Sequence, residues 1–274
     1  GMGRGALHDG VPPAGPRGIM LDGPNGLSVM ARLQAIEMAT EGTWERHLAM
    51  ERLLTRLIGP GISVEVTGLR EGPKSLETGY DVAIAGKGIL EGVRRAEAEG
   101  FDAVLLCGAL DPCLESAREA VRIPVVGAGQ AACLTAAALG RRTGVLAVVR
   151  SHIAPLRDMV FRAGLNPDRT LFRSIDIPIP LLRLDVGQTL SRLQEEGKRL
   201  VEDGADVLVL GCTSVNEDGL ARLEESLAVP VIHPNMAGAL LAASLVRAHW
   251  THGTTTYPPV EDPTGRFGDA LIVH

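Results

Sequence analysis

The sequence has few aromatic residues, little excess charge and no long apolar run. Aromatic side chains make up 3% of the 274 residues, too few for the stacking platforms that bind single-stranded nucleic acid. A formal net charge of −6 provides no basic surface to attract nucleic acid or an anionic membrane. No apolar run approaches the roughly 20 residues that a membrane span needs. We therefore expect a small-molecule substrate as partner, and neither nucleic acid nor a membrane.

Two further absences concern the compartment and metal binding. Residues 1–17 are rich in glycine and proline and lack the apolar centre of a secretory signal, which favours a cytoplasmic protein. The four cysteines form no C-x-x-C pair, so a zinc site is not expected. Cysteines stay reduced in the cytoplasm, and we expect these to be catalytic or buried rather than disulfide-bonded.

The chain contains an internal repeat of about a hundred residues, much longer than the period of a solenoid. In each copy a helix leads to a short apolar strand, a second helix, another buried strand and a helix of small residues. The strand at residues 103–106 stops at Cys107, and the strand at 207–210 leads to Gly211 and Cys212. The repeat predicts a duplicated α/β unit with a cysteine at the same strand end in each copy.

The remaining apolar runs complete two parallel sheets flanked by helices. We expect an α/β fold of two pseudo-symmetric lobes with the active site in the cleft between them. The first lobe is assigned to 18–127, with a helix at 235–248 packing back on it, and the second to 140–233; 1–17 and 249–274 are extended arms. The predicted opening strands are 18–21 and 144–149, the second strands are 62–67 and 171–177, and the predicted helices are 44–58, 89–99, 114–121, 130–139, 189–202, 219–227 and 236–246.

Paired cysteines at these positions suit proton transfer at a carbon atom. A racemase removes a proton from one face of a carbon and returns one to the other, which two opposed acid/base groups achieve without turning the substrate. A thiol with an ordinary pKa of about 8.5 is suited to both roles, and a nearby helix N-terminus is expected to lower that pKa further. Ligands of parallel sheets bind at the carboxyl ends of the strands, where both Cys107 and Cys212 lie.

Other residues near these strand ends are candidates for substrate binding. Gly108 and Gly211 would let backbone approach a ligand closely, and their turns could present N–H groups to it. Thr213 and Ser151 are candidate hydroxyl donors. His233 follows a strand near the cleft and is a candidate ligand contact, although a structural hydrogen bond is the more common role of a single histidine.

Simple packing is the alternative for any single cysteine, because free cysteine is among the most buried residue types. The repeated position of Cys107 and Cys212 favours function for that pair. Cys113 and Cys133 have no counterpart in the repeat, and packing is the better interpretation for both. Asp111 is expected to cap the helix after Cys107.

Four stretches carry a resemblance to the Asp/Glu/hydantoin racemase superfamily, within it to the hydantoin and allantoin racemase branch. Residues 72–81, GPKSLETGYD, resemble the G-P-x-S-[IL]-E-x-x-Y-D segment. Residues 102–107, DAVLLC, followed by Asp111 and Pro112, are similar to the strand of the first catalytic cysteine. Residues 209–213, VLGCT, resemble the strand end with the second cysteine, and the two P-V-[IV] strands at 124 and 230 complete the match.

The sequence departs from the family pattern in several places. The family's first strand commonly ends N-P-N-[TS]; residues 23–26 read GPNG, so Asn25 matches as a candidate binding residue but the hydroxyl is absent. The segment after Cys107 is one residue longer than the usual C-F-G-D-P and lacks its aromatic residue. His233 stands where Asp is common, and residues 28–58 form a longer stretch than expected.

The resemblance implies a racemase that uses two thiols, with no metal or other cofactor, on a 5-substituted hydantoin, allantoin or a small amino acid. We expect a homo-oligomer. A decarboxylase or cis–trans isomerase of the same superfamily is the first alternative, although a one-thiol decarboxylase needs just one cysteine. A non-catalytic two-lobed binding protein is the second.

Overall fold

Eight strands and eight α-helices alternate along the residues that the structure describes. The computed structural model describes residues 31–40, 43–258 and 260. The strands are β1 (Ala31–Glu37), β2 (Ile62–Thr67), β3 (Ala103–Cys107), β4 (Val125–Gly127), β5 (Thr143–Ala147), β6 (Leu171–Ser174), β7 (Val207–Leu210) and β8 (Val231–Ile232). The helices are α1 (Trp44–Ile58), α2 (Gly79–Ala98), α3 (Leu114–Ala120), α4 (Ala128–Leu139), α5 (Ile153–Arg162), α6 (Val186–Glu202), α7 (Glu217–Leu227) and α8 (Pro234–Arg247). Within this part of the chain, no helix is long and apolar enough to cross a membrane.

The strands form two parallel sheets with the same topology. The first sheet has the order β2-β1-β3-β4 and the second has the order β6-β5-β7-β8. Equivalent hydrogen bonds recur: Asp102 accepts from the backbone N–H of Arg32 at 2.8 Å, and Asp206 accepts from that of Arg142 at 2.9 Å. The predicted α/β fold with two parallel sheets flanked by helices is confirmed.

The small-residue helices α4 and α8 pack in the core that the two sheets share. Helix α8 packs on β3 and on α4, which also contacts β7, and side chains from both sheets join one buried cluster there. A Cβ on Gly238 of α8 would lie 2.4 Å from the Leu105 side chain of β3. Small residues are therefore required where these helices meet the strands. Helices α2 and α3 cover the other face of the first sheet, and α6 and α7 that of the second.

The opening strand of the first sheet lies later in the chain than predicted. Strand β1, Ala31–Glu37, pairs with both β2 and β3, whereas residues 18–21 lie outside the described residues. The prediction relied on continuous apolar runs, and Arg32 and Gln34 interrupt such a run in β1. Both find partners: the Arg32 guanidinium lies 4.0 Å from the centre of the Phe101 ring, and the Gln34 amide donates to the backbone oxygen of Glu65 at 2.9 Å.

Helix α2 begins ten residues before its predicted start because of a capping box. The Thr78 side chain accepts a hydrogen bond from the backbone N–H of Asp81, and the Asp81 carboxylate accepts one from that of Thr78 at 2.9 Å. These bonds satisfy N–H groups that a helix start leaves without partners. The other predicted helices agree with the structure to within three residues at each end.

The described part of the predicted C-terminal arm packs on its own chain. The imidazole Nε2 of His252 accepts a hydrogen bond from the backbone N–H of Val125 at 2.7 Å. The Arg118 guanidinium lies 5.6 Å from the centre of the Tyr257 ring. Residues 259 and 261–274, like the predicted arm at 1–17, lie outside the described residues.

Asp111 caps α4 rather than α3, so its predicted role is wrong. Its carboxylate accepts the backbone N–H groups of Gly129 at 2.7 Å and Gln130 at 2.6 Å, while Cys113 occupies the N-cap of α3 in a left-handed conformation with φ 57°. A Cβ on Gly129 would lie 2.2 Å from the Ala109 oxygen. The glycine thus allows the loop after β3 to cross the start of α4, and Asp111 ties the two together.

Replacing Asp111 by alanine should destabilise the fold by about 2 kcal/mol, because two backbone N–H groups at the start of α4 lose their acceptor. Urea unfolding followed by circular dichroism measures this change. Asp158→Ala, on the exposed face of α5, is the matched control and should change the free energy of unfolding by less than about 0.5 kcal/mol. Equal stability of the two variants would contradict the capping role.

Candidate active site

A cavity of about 630 Å³, the main cavity, lies at the carboxyl ends of β1, β3 and β7. The three strand ends come from both sheets and together form one wall of the cavity. This is expected where the carboxyl ends of parallel strands face each other. Residues from the strand ends and the turns after them line it: Glu37, Cys107, Gly108, Gly211, Cys212 and Thr213. The structure thus brings both predicted cysteines to one cavity.

Cys107 is the last residue of β3 and the register partner of Glu37 on β1. Its side chain reaches the main cavity, yet the residue is only 5% exposed. Burial raises the pKa of the Cys107 thiol to about 12, and the positive charge of Arg46 opposes this shift. The thiol is therefore protonated at neutral pH.

Cys212 lies two residues beyond the end of β7 and is also buried. Burial raises the pKa of this thiol as well, opposed by hydrogen bonds from the backbone N–H groups of Ser214 and Val215 and by the charge of Arg183. The expectation that the pKa values of both thiols are lowered is wrong, because desolvation outweighs the N–H groups and the nearby positive charges. The two thiols differ, since only Cys212 receives backbone hydrogen bonds that favour its thiolate.

Gly108 and Gly211 line the main cavity, but their N–H groups are engaged within the protein. Gly108 donates to the backbone oxygen of Leu106 at 3.0 Å, and Gly211 donates to that of Leu146 at 2.8 Å. A Cβ on Gly211 would lie 2.7 Å from this Leu146 oxygen. The glycine is thus required by the close contact with β5, and neither N–H is directed at a ligand.

Ser151, a predicted hydroxyl donor, is exposed and does not line the main cavity; the next residue, His152, does. His152 is 3% exposed, and its Nε2 donates to the backbone oxygen of Glu77 at 2.9 Å. This bond joins the turn after β5 to the segment that precedes α2. Burial lowers the pKa of His152, which keeps the ring neutral at pH 7.

His233 lies in a second cavity of about 530 Å³, the side cavity, rather than in the main cavity. Its Nε2 donates to the backbone oxygen of Val215 at 3.1 Å, and burial lowers its pKa to about 4. This is the structural hydrogen bond that the sequence left open as the alternative. Asn25 lies outside the described residues.

The side cavity adjoins the main cavity. The two share wall residues, among them Arg46, Arg183 and Thr213. The rest of the side cavity is largely apolar, with α1 and α6 contributing residues such as Leu53 and Leu190. A substituent on a ligand in the main cavity could extend into this apolar space.

Sequence reasoning missed the charged residues of the main cavity, which are Glu37, Arg46, Lys74 and Arg183. Glu37 was missed because β1 was placed too early; the strand-end position assigned to residues 23–26 belongs to Glu37 and the residues after it. Lys74 stands inside the GPKSLETGYD segment, where the motif leaves the residue type open. Arg183 follows β6 in a segment without any motif.

Glu37 forms an ion pair with Arg46 and contacts the Nε2 of His47 at 3.1 Å. Burial and the nearby Arg183 lower the pKa of Arg46 to about 10, which leaves it charged at pH 7.

Among residues 31–40, 43–258 and 260, no group of three His, Cys, Asp or Glu side chains is arranged to hold a metal ion.

Comparisons with known proteins agree with this architecture. The family profile described as Asp/Glu/Hydantoin racemase matches residues 38–242. A hydantoin racemase from Rhizobium meliloti is 32% identical over 197 residues, 70% of this chain and 81% of that protein. The structure of an allantoin racemase from Klebsiella pneumoniae has a TM-score of 0.74 at 27% identity, covering 83% of this chain and 94% of that one. A structure of arylmalonate decarboxylase shares the fold, with a TM-score of 0.54 at 20% identity, covering 78% and 92%.

The family match spans strands β2 to β8 and both cysteine-bearing strand ends. The relatives at 32% and 27% identity are both racemases, and each similarity covers more than two thirds of this chain. The chain therefore belongs to the Asp/Glu/hydantoin racemase family and is an isomerase of the racemase type.

Proposed function

We propose that this enzyme racemises a hydantoin or allantoin type substrate at a carbon next to a carbonyl group, with Cys107 and Cys212 as opposed acid and base. One observation supports this above all: the two cysteines come from different sheets and line the same cavity. Two acid/base groups that approach from separate elements suit a reaction at opposite faces of one carbon.

In one direction the Cys212 thiolate removes the proton from the reacting carbon, and the electron pair of the C–H bond moves to the adjacent carbonyl oxygen as an enolate. The Cys107 thiol then donates its proton to the opposite face of the carbon. The cycle leaves Cys212 as a thiol and Cys107 as a thiolate, and the reverse reaction exchanges the two roles. Each turnover conserves protons, so neither an oxidant nor a reductant is needed.

Cys212 is the thiol better suited to ionise first. The N–H groups of Ser214 and Val215 and the charge of Arg183 all favour its thiolate, whereas Arg46 alone supports that of Cys107. A hydantoin carbon is flanked by an imide carbonyl and is more acidic than the α-carbon of a free amino acid. Because burial raises the pKa of the thiol, its thiolate is a stronger base, and it can remove the proton from such a carbon.

The pair of cysteines in one cavity argues against the three other functions that the sequence left open. A decarboxylase with one catalytic thiol would have no use for the second cysteine in the cavity. A cis–trans isomerase would use one thiol as nucleophile, and a binding protein would need neither. Incubation of 5-substituted hydantoins and allantoin in D₂O discriminates among them, since only racemisation replaces hydrogen by deuterium together with loss of optical rotation.

Cys107→Ser and Cys212→Ser should each lower racemisation of 5-benzylhydantoin at least about 100-fold, because each removes one of the two proton carriers. Polarimetry measures the loss, and circular dichroism checks that the fold is kept. Cys113→Ala is the matched control, since Cys113 does not line the main cavity, and it should racemise at the normal rate. Normal racemisation by either Ser variant would refute the two-thiol mechanism.

Alkylation of both active-site thiols by iodoacetamide should accelerate about tenfold per pH unit from pH 7 to 8, because raised pKa values keep both thiols mainly protonated and only thiolates react. Cys212 should react faster than Cys107, since its thiolate receives backbone hydrogen bonds. Peptide mapping by mass spectrometry gives the rate at each site, with the fully buried Cys133 as an unreactive internal control. Rates independent of pH would show that the thiols are already ionised.

A further inference from the structure

His152 has one ring nitrogen that the protein uses and one that it leaves unpaired. The side chain lines the main cavity, and the residue is almost completely buried. Its Nε2 donates to the backbone oxygen of Glu77 at 2.9 Å. Because a neutral imidazole carries a single N–H, this bond leaves Nδ1 as an acceptor. No described residue donates to Nδ1, although buried acceptors in folded proteins are nearly always paired.

The local fold does not explain the unpaired Nδ1. His152 occupies the N-cap position of α5, where a side chain often accepts a hydrogen bond from the first turn of the helix. Within the described part of the chain, its side chain makes no such capping bond. Burial lowers the pKa of His152, so the ring is neutral at pH 7 and Nδ1 keeps its lone pair. An acceptor of this kind on a residue of the cavity wall is suited to a donor on a ligand.

The bond to Glu77 fixes the imidazole in the cavity wall. Glu77 directly follows residues 74–76, which line the main cavity, and the bond holds the ring in one orientation and one tautomer. His152 itself follows β5, the neighbour of β7 in the second sheet. The same sheet supplies Cys212 at the end of β7. The unpaired nitrogen is therefore held in the half of the site that also carries one of the two thiols.

The substrates proposed above carry the matching donor. A hydantoin ring has two N–H groups, N1–H next to the reacting carbon and N3–H between the two carbonyl groups, and allantoin contains the same ring. A neutral N–H and a neutral Nδ1 form a hydrogen bond without burying a charge, which favours this pairing in a desolvated site.

We propose that Nδ1 of His152 accepts a hydrogen bond from a ring N–H of the substrate and holds the ring while the thiols exchange protons at its carbon. The proposal rests on the racemisation of a hydantoin or allantoin type substrate proposed above. It makes His152 a substrate-binding residue that selects rings with an N–H donor. A ring of the same shape without that donor is rejected, because Nδ1 then stays unpaired in the complex.

Three probes test whether a ring N–H is recognised. 5-Benzylhydantoin has both N–H groups, 5-benzyloxazolidine-2,4-dione has oxygen in place of N1–H, and 5-benzyl-3-methylhydantoin has a methyl group in place of the N3 hydrogen. Deuterium exchange at the reacting carbon, followed by NMR, gives the specificity constant for each probe. The ratio of the hydantoin constant to each analogue constant is compared between the unaltered enzyme and its variants. This comparison cancels the differences in acidity and bulk among the rings.

Two variants of His152 separate substrate binding from the structural bond. In His152→Gln the side-chain amide can still donate to the Glu77 oxygen, but the acceptor at Nδ1 is lost. This variant should lower one of the two ratios about tenfold, as expected for one buried hydrogen bond, and the ratio that falls identifies the N–H that His152 binds. His152→Asn places an amide near Nδ1 and loses the bond to Glu77, so it should keep most of that ratio. Two unchanged ratios in His152→Gln would overturn the proposal.

His252→Gln is the matched control. His252 is also partly buried and has one hydrogen bond to the backbone, from Val125, but it does not line the main cavity. Both ratios should keep the values of the unaltered enzyme in this variant. A fall in either ratio equal to that in His152→Gln would show that the effect is not specific to the cavity and would overturn the assignment.

Equilibrium binding separates failure of the His152 contact from failure of the proposed reaction. Calorimetry with Cys107→Ser, alone and combined with His152→Gln, measures the affinity for the three probes without turnover. A preference for the hydantoin that His152→Gln removes, together with no exchange by the unaltered enzyme, would support the contact and refute the racemisation. A preference that His152→Gln leaves unchanged would overturn the contact whether or not exchange occurs.

Discussion

The parallel direction of the strands is the constraint on which the site depends. In each sheet all strands run the same way, so their carboxyl ends gather along one edge, and helices cover the faces. That edge is where loops are free to build a cavity. Cys107 and Cys212 follow the matching strands β3 and β7, one in each sheet. A duplicated fold thus supplies two similar groups to one cavity, because each copy places a cysteine at the equivalent strand end.

The approach of the two halves depends on small side chains. Helices α4 and α8 lie in the core shared by the sheets. Leu105 packs so closely on Gly238 that there is no room for a Cβ at this position. The bond from His152 to the Glu77 oxygen joins the halves again at the cavity. Larger residues on these helices would separate the sheets and widen the distance between the two strand ends.

Two physical effects oppose each other in the main cavity. Burial favours the neutral thiols and raises the pKa of Cys107 and Cys212, whereas Arg46 and Arg183 favour the thiolates. The outcome is a pair of thiols that are protonated at rest and would make strong bases once ionised. In the proposed reaction this suits a carbon of moderate acidity.

The two sheets and both cysteines could be predicted from the sequence because their signals are local. Short buried strands of parallel sheets are continuous apolar runs, and a cysteine that ends the same strand in both copies is visible in the printed chain. Strand β1 escaped this test because Arg32 and Gln34 interrupt its run, and their partners, Phe101 and Glu65, are distant in sequence. The family motif then fell on residues 23–26, and Glu37 went unnoticed.

The sequence by itself determined the fold class, the duplication and the two thiols. Only the tertiary structure decided the electrostatics. It determined which thiol accepts hydrogen bonds from backbone N–H groups, which helix Asp111 caps, and which cationic side chains reach the cavity. Burial and charge proximity depend on elements far apart in the chain, as Arg46 on α1 and Arg183 before α6 demonstrate. No local pattern encodes such a distance, because it arises only when the two sheets pack on their shared helices.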